Sequence, residues 1–220
     1  MQLKFHNAVK PYVFAETGLL LLVIILALLI QAYAYLIFAL LPLFLLGLTF
    51  FFFRSPDRNV QTKSDSILSP ADGIVQEIGQ KAEWIPSVGE VLRVGIYLSL
   101  WDVHINRIPV SGRIVQIKRQ PGKYLPAYRE EASAKNGNVL VKIENSKGAY
   151  AVQQVAGFFA RRIVCDAHEG DRVLQGDIFG MIKFGSRVNL YLPVSTQILV
   201  KKGDRVSGGV TCIGKTNGHA

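Results

Sequence analysis

The chain contains little cysteine and little histidine. Of its 220 residues, two are Cys and four are His. Cys165 and Cys212 show no CxxC spacing and have no histidine companions, so the sequence predicts neither a disulfide framework nor a zinc site. We expect both to be reduced thiols in a folded core, and we expect no metal cofactor.

Charge is almost absent from the N-terminal quarter. Within 12–53 the only charged side chain is Glu16. Two apolar arms, 17–30 and 36–53, lie on either side of a short break, and each with its flanks approaches the roughly 20 residues that a helix needs to cross a bilayer. The sequence therefore predicts a membrane-embedded α-helical hairpin in 1–53.

Basic residues flank this hairpin on both sides. Lys4 and Lys10 precede it, and Arg54, Arg58 and Lys63 follow it. The positive-inside tendency then places both ends, and the domain that follows, on the cytoplasmic side of the cell membrane. A signal peptide fits less well because the apolar stretch is too long and has no clean cleavage site. A buried hairpin of a soluble protein remains the alternative, although so little charge is hard to bury in so small a domain.

The net charge of +9 is compatible with nucleic acid, an anionic membrane surface or an acidic substrate as partner. We find no nucleic-acid-binding module in the sequence. The adjacent hydrophobic hairpin favours membrane lipid as the partner and argues against nucleic acid.

The remainder of the chain reads as β structure. Residues 54–66 form a polar, turn-rich connector, and 67–220 form one domain. Short β-branched runs recur between Gly and Pro, which suits a barrel or sandwich. The runs are 73–78, 91–98, 113–118, 138–143, 150–155, 162–165 and 197–200. Residues 124–133 read instead as a loop with a short helix.

An internal repeat refines the fold prediction. Gly170-Asp171-Arg172-Val173 is followed by Gly176, and the same pattern recurs 33 residues later at 203–206, followed by Gly209. Such corners resemble those of lipoyl-like and biotinyl-like barrel-sandwich domains. We therefore predict a mainly β, barrel-sandwich domain behind an N-terminal helical hairpin.

The pair Gly185-Ser186 is a candidate site of self-cleavage. A serine hydroxyl can attack the preceding carbonyl, and glycine gives the backbone freedom to reach the strained geometry that this needs. Strand-like runs on both sides place the serine in a sheet or at a kink between strands. The alternative is an ordinary turn.

Two polar strings in apolar surroundings could assist such a serine. His104 alternates with Val103 and Ile105, and of the four histidines it is the best placed to act as a base. Asp72 precedes a glycine, so it could equally close a turn. No Gly-x-Ser-x-Gly elbow is present, which disfavours a Ser-His-Asp hydrolase.

Four ordered motifs resemble those of the short-form phosphatidylserine decarboxylase proenzymes. The likeness covers nearly the whole chain, including the hydrophobic hairpin and its exit at 53–58, where the family more usually has Asp in place of Ser55. The motifs are Ser69-Pro70-Ala71-Asp72-Gly73, the run from Asp102 to Pro109, the run from Ala160 to Cys165, and Phe184-Gly185-Ser186-Arg187-Val188.

The resemblance implies a self-processing, pyruvoyl-dependent decarboxylase. Ser186 would attack the Gly185 carbonyl, and elimination and hydrolysis would leave a pyruvoyl group in place of Ser186. The products would be a large β chain (1–185) and a small α chain (186–220), which form a heterodimer whose further oligomerisation stays open. The pyruvoyl carbonyl would form a Schiff base with phosphatidylserine and act as the electron sink that pyridoxal phosphate provides elsewhere, so no pyridoxal phosphate is needed.

The resemblance also implies roles for three other residues. His104 is the expected proton carrier, and Asp72 is expected to assist self-cleavage by activating or orienting the base. Longer members carry a second histidine where this chain has Arg107. Arg107 could bind a carboxylate or phosphate of the substrate, or form only a surface salt bridge.

Other departures from the family pattern leave the nucleophile in place. Asn189 stands where relatives often have Asp, and 134–138 departs from the usual string. Two alternatives stay open: the same chemistry on another serine-headed lipid, such as an archaeal ether lipid, and a non-catalytic, membrane-anchored β-barrel that binds a lipid or partner.

Overall fold

The structure is a computed structural model of the whole chain, and it divides into two compact units, 1–57 and 58–220. Each unit is described by itself. The residues that the structure describes are 3–29, 33–79, 83–85, 89–129, 131–158, 162–183 and 186–216.

The first unit is an apolar helical hairpin closed by two short strands. Its helices are α1 (Lys10–Leu29) and α2 (Leu40–Phe52), with 3-10 turns at Asn7–Val9 and Tyr33–Ala39. Strand β1 (Leu3–Phe5) pairs antiparallel with β2 (Arg54–Pro56), so the start of the predicted connector is a strand. The predicted N-terminal helical segment is confirmed.

Glu16, the one charged side chain in 12–53, is bonded across the two helices. The Thr49 hydroxyl in α2 donates to a Glu16 carboxylate oxygen in α1 at 2.7 Å. Pro42 lies in the first turn of α2, where its missing N–H breaks no helical hydrogen bond. The helix interiors are otherwise apolar, and most of their large side chains are exposed.

Among the described residues, one helix is apolar and long enough to cross a membrane. It runs over 7–29 and is almost entirely exposed. Its 23 residues are roughly 35 Å long, against about 30 Å of hydrocarbon. The second apolar helix, 36–52, is shorter, at roughly 26 Å.

The second unit is mainly β, as predicted. Its one described α-helix is α3 (Ala132–Lys135). Its strands are β3 (Ser66–Leu68), β4 (Gly73–Ile78), β5 (Glu83–Ile85), β6 (Gly89–Leu98), β7 (Ile105–Arg107), β8 (Gly112–Gln120), β9 (Asn138–Asn145), β10 (Gly148–Val155), β11 (Ile163–Cys165), β12 (Arg172–Val173), β13 (Ile178–Ile182), β14 (Ser186–Pro193), β15 (Thr196–Ile198), β16 (Arg205–Val206) and β17 (Cys212–Thr216).

The strands form one large curled sheet and two small sheets. Among the described residues the large sheet has the order β12-β8-β9-β10-β14-β6-β4-β16, with β5 added to β6. The small sheets are β11-β13-β7 and β15-β17-β3, and all these pairings are antiparallel. The core lies on the concave side, where residues alternate inward along each central strand. Its members include Val75, Ile96, Leu98, Val152, Val188 and Leu190.

The internal repeat forms two matching corners. Gly170 and Gly203 open them with φ of 93° and 95°, values that favour glycine. The corners lead into β12, which pairs with the start of β8, and β16, which pairs with the start of β4. The repeat thus closes two outer edges of the large sheet in the same way.

Candidate active site

Ser186 opens β14, a central strand of the large sheet. β14 lies between β10 and β6, and Ser186 is paired in register with Leu98, the last residue of β6. The side chain is fully buried, and its hydroxyl has no hydrogen-bond partner among the residues that the structure describes. Gly185, the predicted cleavage position, lies outside those residues. A buried hydroxyl without a hydrogen-bond partner lowers the stability of the folded state, so its presence points to a functional role.

Alternation along β14 decides which way Ser186 points. Ser186 shares a face with the core residues Val188 and Leu190, whereas Arg187 and Asn189 lie on the opposite face. The Ser186 hydroxyl therefore projects toward the core side of the sheet.

His104 approaches Ser186 along two chain segments. It follows Leu98, the register partner of Ser186, by six residues, and its carbonyl accepts from the Ile182 N–H at 3.2 Å, four residues before Ser186. The ring is fully buried, and its Nδ1 is 2.9 Å from the Asp102 carbonyl oxygen. Because a carbonyl can only accept, Nδ1 carries the proton in this contact, which leaves Nε2 as the nitrogen that can act as a base when the ring is neutral.

Asp102 stabilises the turn that precedes His104. Its buried carboxylate accepts from the Ser99 N–H at 2.8 Å and the Ser99 hydroxyl at 2.7 Å, and it pairs with Arg205. These bonds hold the chain from Leu98 to His104 in one conformation. Asp102 acts on the histidine through its backbone carbonyl, which also sets the ring tautomer.

Asn106 and Gln154 bring two unpaired polar atoms to the same face of the sheet. Gln154 lies opposite Val188 in the β10–β14 register, so it is a diagonal neighbour of Ser186, with Cβ atoms roughly 7 Å apart. Its Nε2 donates to Asn106 Oδ1 at 2.8 Å and to the Val164 carbonyl at 3.2 Å. Both side chains are fully buried, and Asn106 Nδ2 and Gln154 Oε1 have no partner among the described residues.

Asp72 sits at the same end of the sheet, two strands away from Ser186. The residue after next, Ile74, pairs with Tyr97 in β6, next to Leu98. The Asp72 carboxylate accepts from Arg58 and from the Gly208 N–H, both at 2.7 Å. These contacts hold its position, and no described contact joins it to His104 or Ser186.

Arg107 is bonded to main-chain groups on two sides. Its guanidinium donates to the Gly176 carbonyl at 2.9 Å, and its own N–H donates to the Pro70 carbonyl at 2.9 Å. Its side chain packs over Gly209, where a Cβ would come within 2.7 Å of Arg107 Cδ. The motifs at 69–73 and 102–109 are therefore hydrogen-bonded to each other through Arg107 and Pro70.

Comparison with known proteins shows the family to which the chain belongs. The family model for phosphatidylserine decarboxylase matches residues 45–214. The chain belongs to the phosphatidylserine decarboxylase family. Relatives named phosphatidylserine decarboxylase proenzyme, from Rickettsia rickettsii (strain Sheila Smith) and Rickettsia felis, are 46% identical to it over 168 residues, and that from Rickettsia typhi is 45% identical over 168 residues. Each match covers 74% of this chain and 72% of the relative.

The face of β14 opposite to the one that carries Ser186 holds a charged network. Arg187, buried to 1% exposure, lies over Gly95 and pairs with Glu77, and it donates to Asn189 Oδ1 at 2.8 Å. Glu77 also pairs with Arg93. Burial alone would raise the pKa of Glu77, but hydrogen bonds from the two arginines outweigh it and hold that pKa below its usual value. The network anchors the backbone next to Ser186.

The two cysteines form no disulfide bond. Both are free thiols and partly buried, and burial raises the pKa of the Cys165 thiol. In the described part of the chain, no group of three His, Cys, Asp or Glu side chains is arranged to hold a metal ion.

The structure thus places the predicted residues Ser186, His104 and Asp72 at one end of the large sheet, and Arg107 on β7 of a small sheet, bonded to Pro70. Sequence reasoning missed Gln154 as a member of the site and gave Asn106 no role. Asn106 stood in the same motif as His104 with the same alternation, which was a usable signal. Gln154 is 48 residues from its partner, and no local pattern marks it.

Proposed function

We propose that this chain is a proenzyme that cuts itself between Gly185 and Ser186 and then, as a pyruvoyl enzyme, decarboxylates phosphatidylserine to phosphatidylethanolamine. The observation that carries the proposal is the buried, unpaired hydroxyl of Ser186 at the start of a central strand, with His104 tied to both neighbouring segments. The names of the relatives supply the substrate.

In the self-cleavage that we propose, Ser186 Oγ attacks the Gly185 carbonyl carbon while Nε2 of His104 takes the hydroxyl proton. The peptide C–N bond then breaks, the nitrogen of residue 186 takes up a proton, and Gly185 remains attached to Oγ as an ester. Removal of the Cα proton of residue 186 expels the Gly185 carboxylate and leaves dehydroalanine. Addition of water and loss of ammonia convert this residue to a pyruvoyl group.

Asn106 supplies the hydrogen-bond donor that this attack needs. The tetrahedral intermediate carries a negative oxygen, which preorganised donors in a water-poor site stabilise. Gln154 fixes Asn106 through Oδ1, so Nδ2 is left as a donor with no described partner on the face to which Ser186 points. Neither residue carries a charge that would repel the forming oxyanion.

The same residues fit the pyruvoyl group that would follow. A carbonyl at position 186 would replace the hydroxyl on a face that already offers the unpaired donor Asn106 Nδ2. When formed, a pyruvoyl group supplies an electrophilic carbonyl that withdraws electrons from the bond to the departing carbon dioxide. His104 would then carry the proton to the former α carbon, and burial would exclude competing water.

Membrane association keeps such an enzyme beside its substrate. The apolar helix at 7–29 suits a bilayer, and the basic residues on both flanks of the hairpin favour the cytoplasmic side. Arg107 stays a candidate for binding a carboxylate or phosphate of the substrate, because a guanidinium can bond such a group through two nitrogens.

Denaturing mass spectrometry of the purified protein tests the processing step. We expect two chains, 1–185 and 186–220, with the smaller one lighter by ammonia than its sequence predicts. Ser186→Ala should give an intact chain without decarboxylase activity. A cut or active Ser186→Ala protein would refute the pyruvoyl assignment.

Products formed from defined lipids test the substrate. Matured enzyme is mixed with diacyl phosphatidylserine or with an ether-linked serine lipid, and carbon dioxide and the ethanolamine lipid are measured. We expect turnover of the diacyl lipid. Turnover of the ether lipid alone would support the proposed chemistry but would show that diacyl phosphatidylserine is not the substrate.

A further inference from the structure

Exposed aromatic and aliphatic side chains gather at the Ser186 end of the β unit. They come from three loops: one after β6, one after β8 and one after β10. The clearest cases are Trp101 at 71% exposure, Tyr128 at 60% and Phe158 at 57%. We call the set Leu100, Trp101, Tyr124, Tyr128 and Phe158 the aromatic rim.

Strand register places the aromatic rim around the start of β14. Trp101 follows Leu98, the partner of Ser186, by three residues, and Phe158 follows Val155, the partner of Arg187, by three residues. β6 and β10 are the two neighbours of β14, so Trp101 and Phe158 leave the sheet on opposite sides of the Ser186 strand.

The third loop is tied to the same end. β8 ends beside the start of β9, which pairs with the end of β10. Asn136 then clamps the loop: its Nδ2 donates to the Leu125 and Ala156 carbonyls at 2.7 Å, and its Oδ1 accepts from the Leu125 N–H at 2.9 Å. Tyr124 and Tyr128 are therefore carried on a loop held against the strand that precedes Phe158.

Exposed positive charge surrounds the aromatic rim. Arg119 and Lys123 lie where β8 ends, Arg129 follows Tyr128, and Arg162 precedes β11. Glu131, an exposed acid of the same loop, is bonded to Lys135 at 2.6 Å, which holds its pKa below the usual value. Arg129 also pairs with Glu131 at 3.7 Å. The exposed end thus combines indole, phenol and phenyl rings with more basic groups than acidic ones among the side chains named here.

We propose that the aromatic rim docks on the surface of an anionic phospholipid bilayer and so presents the Ser186 site to lipid headgroups. Tyr and Trp prefer the headgroup region because one part of the ring is apolar and the other can hydrogen-bond. Basic residues beside them are attracted to anionic lipid. This inference rests on the proposed function for its purpose, and it adds a second membrane contact besides the N-terminal helices.

Tryptophan fluorescence tests the docking directly. The chain has two tryptophans, so Trp84→Phe leaves Trp101 as the sole reporter. The full-length protein is reconstituted into phosphatidylglycerol vesicles whose acyl chains are brominated near the headgroup. We expect Trp101 to lose about half of its emission, as an indole at headgroup depth would.

A matched control places the reporter at the far end of the sheet. Ser146 lies exposed in the β9–β10 turn, away from Ser186, so the triple variant Trp84→Phe, Trp101→Phe, Ser146→Trp keeps one tryptophan there. Its emission should be unquenched in the same vesicles. Equal quenching at both positions, or none at position 101, would overturn the proposal, as would a Trp101 signal that depends on protein concentration rather than on lipid.

Kinetics separate docking from chemistry. Trp101→Ser combined with Phe158→Ser should lower kcat/KM on vesicle substrate about tenfold, which corresponds to about 1.4 kcal/mol. Self-cleavage, followed by mass spectrometry, and turnover of a short-chain monomeric substrate should not change. Loss of vesicle activity together with self-cleavage would indicate a structural role instead. A wild-type chain that stays intact would refute the proposed function and leave the fluorescence result standing.

Discussion

Replacing Asn106 by aspartate exchanges the amide NH2 group for an oxygen and leaves the shape of the side chain nearly unchanged. Asn106→Asp keeps Oδ1 as the acceptor for Gln154 Nε2, now 2.8 Å away, and exchanges the Nδ2 donor for an oxygen. If Nδ2 stabilises the oxyanion formed at Gly185, the variant loses that donor and faces the oxyanion with a lone pair.

The expected effect on self-cleavage is large. Removing one oxyanion donor costs about 100- to 1,000-fold in rate, which is about 2.7–4 kcal/mol. Asn106 is fully buried, so an ionised carboxylate there would add like-charge repulsion that water screens little. We therefore expect Asn106→Asp to cleave at least about 100-fold more slowly than the unmodified chain.

A cell-free synthesis reaction, sampled over time and resolved on a denaturing gel, measures this rate. Asn145→Asp is the matched control: Asn145 lies at the opposite end of β9, where its side chain bonds the Ser111 carbonyl at 2.8 Å and the Lys147 N–H at 2.9 Å. It should cleave normally. Gln154→Glu, which removes the donor that orients Asn106, should slow cleavage by a smaller factor.

Two outcomes would refute the reasoning. A folded Asn106→Asp protein that cleaves at the normal rate would show that Nδ2 makes no contact with the reacting carbonyl. Equal slowing by Asn106→Asp and Asn145→Asp would show that any added charge impairs folding. Thermal unfolding of each purified variant in detergent establishes whether it is folded.

Further substitutions test the surroundings of the site. Glu77→Gln should destabilise the β unit at pH 7 by about 2 kcal/mol, less than for a fully buried pair because Glu77 is partly exposed. The pKa of Glu77 is lowered in the folded state, so its contribution to stability is present above the ordinary glutamate pKa and is lost as the pH falls below that value. Urea unfolding of both proteins at pH 7 and pH 4 should therefore show that the difference in unfolding free energy shrinks at pH 4. A difference that stays constant would contradict this prediction. Gly180→Ala would drive a methyl group into the Val164 carbonyl, an acceptor of Gln154, so we expect a loss of about 1–3 kcal/mol in thermal stability together with slower cleavage. Arg58→Ala removes the ion pair of Asp72 but leaves its bond to the Gly208 N–H, so cleavage should slow less than in Asp72→Ala, as gel time courses would reveal; the reverse order would assign the role to Arg58.

Much of the fold could be predicted because its signals are local. β4 was predicted with its observed bounds, and the repeated Gly-Asp corners marked where two edge strands turn. Ser186 and His104 could be proposed as site residues because each stands in a short motif that suits a specific chemistry. Their proximity was not predictable from spacing, since it depends on the register between Ser186 and Leu98.

The supporting residues were harder to find because their partners are remote in sequence. Arg187 and Glu77 are 110 residues apart, and Gln175 reaches Ser66 across 109 residues. A buried arginine looks like a surface arginine in a single sequence. Its place over Gly95 depends on the pairing of β14 with β6, which no local pattern specifies.

The position of Ser186 at the head of β14 bears on whether the mature enzyme can refold. If the chain is cut there, the fragment 186–220 contributes β14 between β10 and β6, β16 beside β4, and β17 beside β3. The two fragments would then be interleaved through two sheets and could separate only by disrupting the core. After unfolding, the two fragments would have to meet in solution before they could refold, whereas an uncut chain refolds intramolecularly. Until they met, β10 and β6 would lack the strand that joins them. The mature heterodimer would therefore persist because a kinetic barrier slows its unfolding, and maturation would occur only once in each molecule.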